Sequence, residues 1–247
     1  MSDTARTIGV IGGMGPEATV DFFAKLVAAT PAERDQDHLR VLIDNDPTIP
    51  DRNAAIAGSG PSPAPRLAAM ARGLVTAGAE LLVMPCNGAH AFADAVRAAV
   101  PEVPFLSLID ATVEATLARL PGVRAVGLLA TDGTLSARLY HDAFERAGVA
   151  PLAPVAADQR ALMAAIYALK RGAADAATRG VLRGVAERLA QAGAEAVIAA
   201  CTEVPLLLRE GDVVSGAAPL PVIASTDALV ARTLSAAREP RHRGADT

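Results

Sequence analysis

Cys86 and Cys201 are the two cysteines in a chain of 247 residues, and each closes an apolar run, "ELLVMPC" in one case and "EAVIAAC" in the other. A lone cysteine is most simply a small buried hydrophobe. A matched pair suggests acid–base work instead, because a thiol is an acid and its thiolate a base, with an ordinary pKa of about 8.5 that modest depression brings near neutrality. Two thiols on opposite faces of one carbon suit a reaction that inverts it. One thiolate removes the α-proton, fixed donors hold the planar carbanion, and the other thiol returns a proton from the far side. Polar residues follow each thiol: Asn87 in one turn, Thr202 and Glu203 in the other. A helix is expected to start after the first turn, with N-terminal amides that favour a thiolate.

The elements that must carry these thiols are legible in the hydropathy pattern. Short apolar or β-branched runs alternate with stretches of helical period, the mark of an α/β fold with a mainly parallel sheet between helices. The strand-like runs are "TIGVIGG", "LRVLID", "ELLVMPC", "PFLSLI", "AVGLLA", "PLAPVA", "EAVIAAC" and "PVIAST". They repeat. "LVTAGAELLVMPC" matches "LAQAGAEAVIAAC", and Gly9 to Gly127, Cys86 to Cys201 and Asp110 to Asp227 are separated by 118, 115 and 117 positions. We therefore expect two pseudosymmetric α/β domains: residues 1–107 with 221–247 carrying Cys86, and 108–220 carrying Cys201. Ligands of open parallel sheets bind beyond the carboxyl ends of the strands, where both cysteines fall, so a shared cleft is expected.

Composition narrows the functional classes. A hydrophobic fraction of 51% supports a packed core, while net charge of −4 with scattered basic residues argues against nucleic acid or an anionic membrane surface as partner. The first residues lack a secretory pattern and no apolar run is long enough to span a bilayer, so a cytoplasmic location is expected. Two cysteines are too few for a structural zinc site, and no metal is expected. The tail "AAREPRHRGADT" has no apolar period and is expected to fray.

In order along the chain, "IGGMGPEAT", "TPAERDQDH", "IPDRN", "PCNGAH", "LATDGT", "IYALKRG" and "ACTEVPLLL" resemble the aspartate/glutamate racemase family from about Thr7 to Asp227. The resemblance implies a cofactor-independent, commonly dimeric enzyme acting on an acidic amino acid, aspartate and/or glutamate, with Cys86 and Cys201 as the acid–base pair. It further implies that Arg52 clamps a substrate carboxylate, a task that suits a planar bidentate guanidinium, and that Lys170 supplies a second cation with Tyr167 one helical turn earlier. Asn87, Thr202 and Glu203 are implied to meet the substrate, with turn, cap or helix-dipole duty as the plainer alternative. Met14 and Thr131 are carried to the cleft wall by the same resemblance. His90, four residues after Cys86, reads as a hydrogen-bonded structural histidine.

Gly88 departs from the family pattern, which has threonine there. It either suits the turn or alters what the pocket accepts. Two further readings stay open. "GMGPEA" fits a dinucleotide fingerprint, although Asp44 lies 29 residues beyond Gly15 where about 20 is usual. A two-lobed binding protein would explain the repeat but not a thiol in both matching places. Within the superfamily, hydantoin racemases and maleate isomerases also pair cysteines.

Overall fold

The computed structural model describes residues 5–215 and 218–239. Its first half runs β1 (Ile8–Gly12), α1 (Pro16–Ala29), β2 (Val41–Asn45), a short α2 (Arg52–Ile56), α3 (Ala64–Thr76), β3 (Leu81–Val83), α4 (Ala93–Ala99), β4 (Phe105–Leu106) and α5 (Leu108–Arg119). The second half runs β5 (Ala125–Ala130), α6 (Asp132–Ser136), α7 (Leu139–Arg146), β6 (Ala150–Leu152), α8 (Ala156–Lys170), α9 (Ala176–Gln191), β7 (Ala196–Ala200), β8 (Val214–Ser215), β9 (Ala218–Pro219), β10 (Val222–Ala224) and α10 (Ser225–Arg238).

Two four-stranded sheets result, ordered β2-β1-β3-β4 and β6-β5-β7-β10, with every pairing parallel. The orders correspond strand for strand, so the sequence repeat is a repeat of topology. Packing detail repeats as well. A Cβ on Gly9 would lie 2.6 Å from Leu82 and 3.3 Å from Leu74, and one on Gly127 would lie 3.1 Å from Val197 and 2.9 Å from Leu189. Leu189 and Val197 stand 115 positions after Leu74 and Leu82, the same spacing as the two cysteines. In both halves the glycine lets the helix before the thiol-bearing strand settle directly onto the sheet.

One apolar cluster runs through the inner faces of both sheets. Val10, Phe22 and Val83 join Val126, Leu128 and Ile198 through Leu108 and Val113 of α5 and Leu229 of α10. Separate clusters cover the outer faces, one holding Cys86 with α3 and α4, the other holding Cys201 with α8 and α9. The central strands β1, β3, β5 and β7 are thus buried on both sides, as their unbroken apolar runs require, while β2 at an edge is partly exposed.

Several expectations meet corrections. The runs "PFLSLI", "PLAPVA" and "PVIAST" supply strands of two or three residues, because helices α5, α8 and α10 begin inside or at the end of them. The antiparallel β8–β9 pair was not anticipated; strands of two residues leave no alternation to read. In the expected division of domains, β10 falls with residues 221–247, yet it is hydrogen-bonded to β7 in the second sheet. Of the tail, Ala236–Arg238 belong to α10, where Ala236 and Ala237 are buried; the portion from residue 240 lies outside the described residues.

Candidate active site

The loops after β1, β3, β5 and β7 converge with α2 and the end of α8 on a cleft open to solvent. It lies beyond the carboxyl ends of both central pairs of strands. Cys86 and Cys201 both line it, together with Met14, Arg52, Asn87, Gly88, Thr131, Lys170, Thr202 and Glu203. Every site residue singled out in the sequence therefore stands on one cavity.

The groups that brace the Cys86 loop are neutral. His90 reaches back along its own turn, its Nδ1 lying 2.8 Å from the Cys86 carbonyl oxygen, while its Nε2 accepts the Leu108 amide at the start of α5 at 2.9 Å. A ring nitrogen that accepts cannot carry the proton, so Nδ1 is the donor to Cys86. Burial holds the His90 pKa down to about 4, which keeps the ring neutral. The imidazole thus ties the thiol-bearing loop to α5 in the structural role its buried setting allows.

Asn87 is tied more widely. The Tyr140 hydroxyl donates to its Oδ1 at 2.6 Å, its Nδ2 donates to Ser225 at 3.1 Å, and Ser225 donates to the Ala199 carbonyl at 3.0 Å. This chain joins the first thiol loop to α7, α10 and β7. Asn87 keeps one side-chain N–H beyond that network for anything in the cleft.

Charge gathers around Cys201 instead. Its Sγ donates to Glu203 Oε2 at 3.0 Å, and the Thr202 hydroxyl donates to the same oxygen at 3.2 Å. The other oxygen, Oε1, is ion-paired with Lys170 Nζ. Burial first, and the Glu203 carboxylate second, push the Cys201 thiol well above the ordinary cysteine range, against an opposing pull from Lys170. Burial works against the Lys170 ammonium too, but Glu203, Cys201 and Cys86 outweigh it and hold its pKa above the usual lysine value.

The expected α-helix N-terminus beside the first thiol is absent. Cys86 is followed by a 3-10 turn, Gly88–Phe92, and α4 starts only at Ala93; after Cys201 the turn is Val204–Leu206. The reason in the first half is local: the Cys86 carbonyl is engaged by the His90 ring, while the His90 amide goes to Asn87 O at 3.0 Å. Helix-dipole support for a thiolate is correspondingly small.

Arg52 opens α2, whose N-cap is Asp51, and its Nη1 donates to the carbonyls of Ile49 and Pro50 at 3.2 and 3.0 Å, which braces the loop beside the cleft. Thr131 caps α6, accepting from the Thr134 amide and bonded to the Thr134 hydroxyl. At Gly88 a Cβ would meet Thr134 Oγ1 at 3.6 Å and Arg52 Cβ at 3.7 Å, ordinary contact distances, and the backbone is not left-handed. The turn does not require glycine there. By contrast Gly13 of the glycine turn has φ of 95° and a Cβ would come within 2.3 Å of the Asp46 backbone. Its amide donates to Thr19 at 2.9 Å, so it serves chain packing and offers no amide to a pyrophosphate.

Asp51, Asn53, Thr134 and Ala200 also line the cleft and were not foreseen, and Tyr167 does so beside Lys170. Asn53 is the most consequential. Its Oδ1 accepts from the Gly133 amide at 3.0 Å and its Nδ2 donates to the Tyr167 hydroxyl at 3.3 Å, joining α2 of the first half to α6 and α8 of the second. The sequence signal was only its place next to Arg52, since nothing local says what lies 80 or 114 residues away.

The sequence pattern of the Asp/Glu/Hydantoin racemase family matches residues 11–233. Among solved structures, an aspartate racemase from Picrophilus torridus superposes with a TM-score of 0.81 at 32% identity, covering 94% of each chain. A glutamate racemase from Roseiflexus sp. is 34% identical over 60% of this chain and 53% of its own length. The broad specificity amino-acid racemase RacX of Bacillus subtilis is 25% identical over 92% of this chain and 96% of its own. The matches to the curated glutamate racemases thus span about half of those proteins.

Proposed function

The chain belongs to the Asp/Glu/Hydantoin racemase family, and from that premise we propose that it racemises an acidic amino acid, aspartate or glutamate or both, with no cofactor. Cys86 and Cys201 exchange protons with the α-carbon from opposite faces. Arg52 and Lys170 are the cations that meet the substrate's carboxylates, and Asn87, Thr131, Thr202 and Glu203 complete the polar wall, with Met14 as an apolar side. The observation that supports this reading is the pairing itself: two thiols end corresponding strands of two like sheets and line one cleft with two cations.

The step balances without a redox partner. A thiolate takes the α-hydrogen as a proton, the electron pair stays on the α-carbon in conjugation with the carboxylate, and the opposite thiol protonates that carbon. Fixed N–H and O–H donors of the cleft would stabilise the intermediate where its charge develops.

In deuterium oxide, each enantiomer of the substrate should lose optical rotation while gaining α-deuterium, with no cofactor added. If neither aspartate nor glutamate is labelled, the acidic-substrate reading fails and neutral amino acids are tested next. A broader substrate range is favoured by one observation, that a Cβ at Gly88 would meet Thr134 and Arg52 only at ordinary contact distances, so the glycine leaves the cleft wall one side chain short.

The proposal extends to a homodimer in a reducing compartment such as the cytoplasm. Exposed Val20, Phe23 and Val27 on α1 and Ile43 on β2 offer an apolar face for a second copy, and the chemistry needs both cysteines reduced. Light scattering of the purified protein tests the dimer. Among the described residues no helix is long and apolar enough to cross a membrane.

A further inference from the structure

The two thiols are not equivalent, and the difference lies in what accepts from them. Cys201 Sγ points at a carboxylate oxygen 3.0 Å away, and a carboxylate can only accept, so that thiol carries its proton. Glu203 is itself 3% exposed and divides its two oxygens between partners: Oε2 takes Cys201 and Thr202, Oε1 takes Lys170. The ammonium therefore neutralises the carboxylate from its far side and leaves the near oxygen free to hold the thiol. At Cys86, among the described residues, no carboxylate is hydrogen-bonded to the sulfur; the groups that brace its loop are the neutral His90 and Asn87.

We propose that Glu203 is a positioning residue that keeps Cys201 protonated in the resting enzyme, so that Cys201 is the resting acid and Cys86 the resting base. The inference deepens the two-thiol reading and rests on it. In the forward step the α C–H bond breaks and an S–H bond forms at Cys86, while the Cys201 S–H bond breaks and a C–H bond forms on the other face. The product state, Cys86 thiol with Cys201 thiolate, places two anions side by side at Cys201 and Glu203. That repulsion drives the proton back, either through a substrate of the opposite hand or through solvent. Among the described residues, the charged and titratable groups that share the cleft with Cys201 are Glu203 on its own loop, Lys170 and Tyr167 from α8, Asp51 and Arg52 at the start of α2, and Cys86, with Tyr140 of α7 also acting on its thiol. Of these, Glu203 opposes a thiolate at hydrogen-bonding distance, and Lys170 favours one from behind the carboxylate.

The opposite role is chemically reasonable and makes the test sharp. If Glu203 drew the proton away from Cys201 as a base, its removal would make that thiol less reactive; if it holds the proton there, its removal makes the thiol more reactive. Iodoacetamide alkylation of the full-length protein, followed from pH 5.5 to 10 by mass spectrometry of the two cysteine peptides, reads each thiolate separately. In the unaltered protein Cys86 should react at lower pH than Cys201. Glu203→Gln should lower the Cys201 midpoint and raise its rate at pH 7.5 on the order of ten-fold, because a like charge is removed and Lys170 is freed. Glu203→Asp, which keeps the charge, should restore slow reaction. A Cys201 midpoint at or below that of Cys86, or one that stays put or rises in Glu203→Gln, overturns the proposal. Alkylation needs no turnover. Failure of the racemase reading would appear instead as absent α-deuterium exchange, whatever the two midpoints are.

Discussion

The Cys86 end and the Cys201 end of the cleft share a strand order, a helix-packing glycine and a thiol at the same register, yet one is braced by neutral groups and the other by charge. At Cys86 the loop is held by an imidazole that bridges to α5 and by an amide that reaches Tyr140 and Ser225. At Cys201 a buried carboxylate and an ammonium do the holding. The comparison teaches that the repeat determines where the two thiols stand, whereas the turns that follow them, "NGAH" and "TEVP", determine which polar groups stand beside each. A symmetric scaffold therefore carries two thiols in unlike surroundings.

The strongest challenge to that comparison is to remove one thiol at a time. Cys86→Ala and Cys201→Ala should each lower net racemisation by about 10²–10⁴-fold, the contribution of a positioned acid or base. Polarimetry of either variant at rates near the unaltered protein would end the two-base scheme. α-Deuterium exchange of one enantiomer can persist in a single-thiol variant, and the comparison predicts that it differs between the two.

A pH test separates the two ends next. The unfolded His90 pKa is about 6.5 and the folded one about 4, so the unfolded chain binds the extra proton between those values. Stability from the neutral ring is present above about pH 6.5 and is lost as pH falls towards 4, by roughly 3 kcal/mol. Urea unfolding between pH 4 and 7 should show this slope, and His90→Asn should flatten it. A slope of unchanged size in the variant would mean that the acid sensitivity lies elsewhere.

Lys170→Met probes the charged end. It leaves the Glu203 carboxylate buried with no counter-charge, which should cost about 2 kcal/mol in urea unfolding, less than the penalty for a wholly enclosed pair because Lys170 is partly exposed. The Cys201 alkylation midpoint should also rise, as the one favourable charge behind Glu203 is gone. A variant with unchanged stability and an unchanged midpoint would show that the ion pair is not what holds that end.

The smallest effect is expected at Gly88, where space and backbone both admit a side chain. Gly88→Thr should change stability by no more than about 1 kcal/mol while shifting the ratio of kcat/KM between aspartate and longer substrates by about ten-fold, the usual weight of one methylene in a pocket. An unchanged ratio would mean that the glycine has no part in selection.

The α/β class, the repeat and the two thiols were legible in the sequence, because those depend on apolar runs, a spacing near 115 and distinctive residue types at the ends of strands, whereas Met14, Arg52, Thr131 and Lys170 were carried to the cleft by the family resemblance alone. Asn53 escaped, since its partners Gly133 and Tyr167 belong to the other half and nothing in "DRN" records them. The 3-10 turn after Cys86 escaped because a ring-to-carbonyl bond from His90 competes with the α-helical bond, and only coordinates show which one forms. The identities of Glu203 and Lys170 were equally visible, but 33 residues separate them and no local rule joins them.

What the sequence by itself determined is the pair of thiols and the two like frameworks that carry them, since periodicity and register are properties of a single chain segment and its repeat. Only the tertiary structure decided that the Glu203 carboxylate turns onto Cys201 and is backed there by Lys170. Ionisation depends on charges within a few ångströms in low-dielectric surroundings, and the charge nearest Cys201 from outside its own loop is delivered by the end of α8.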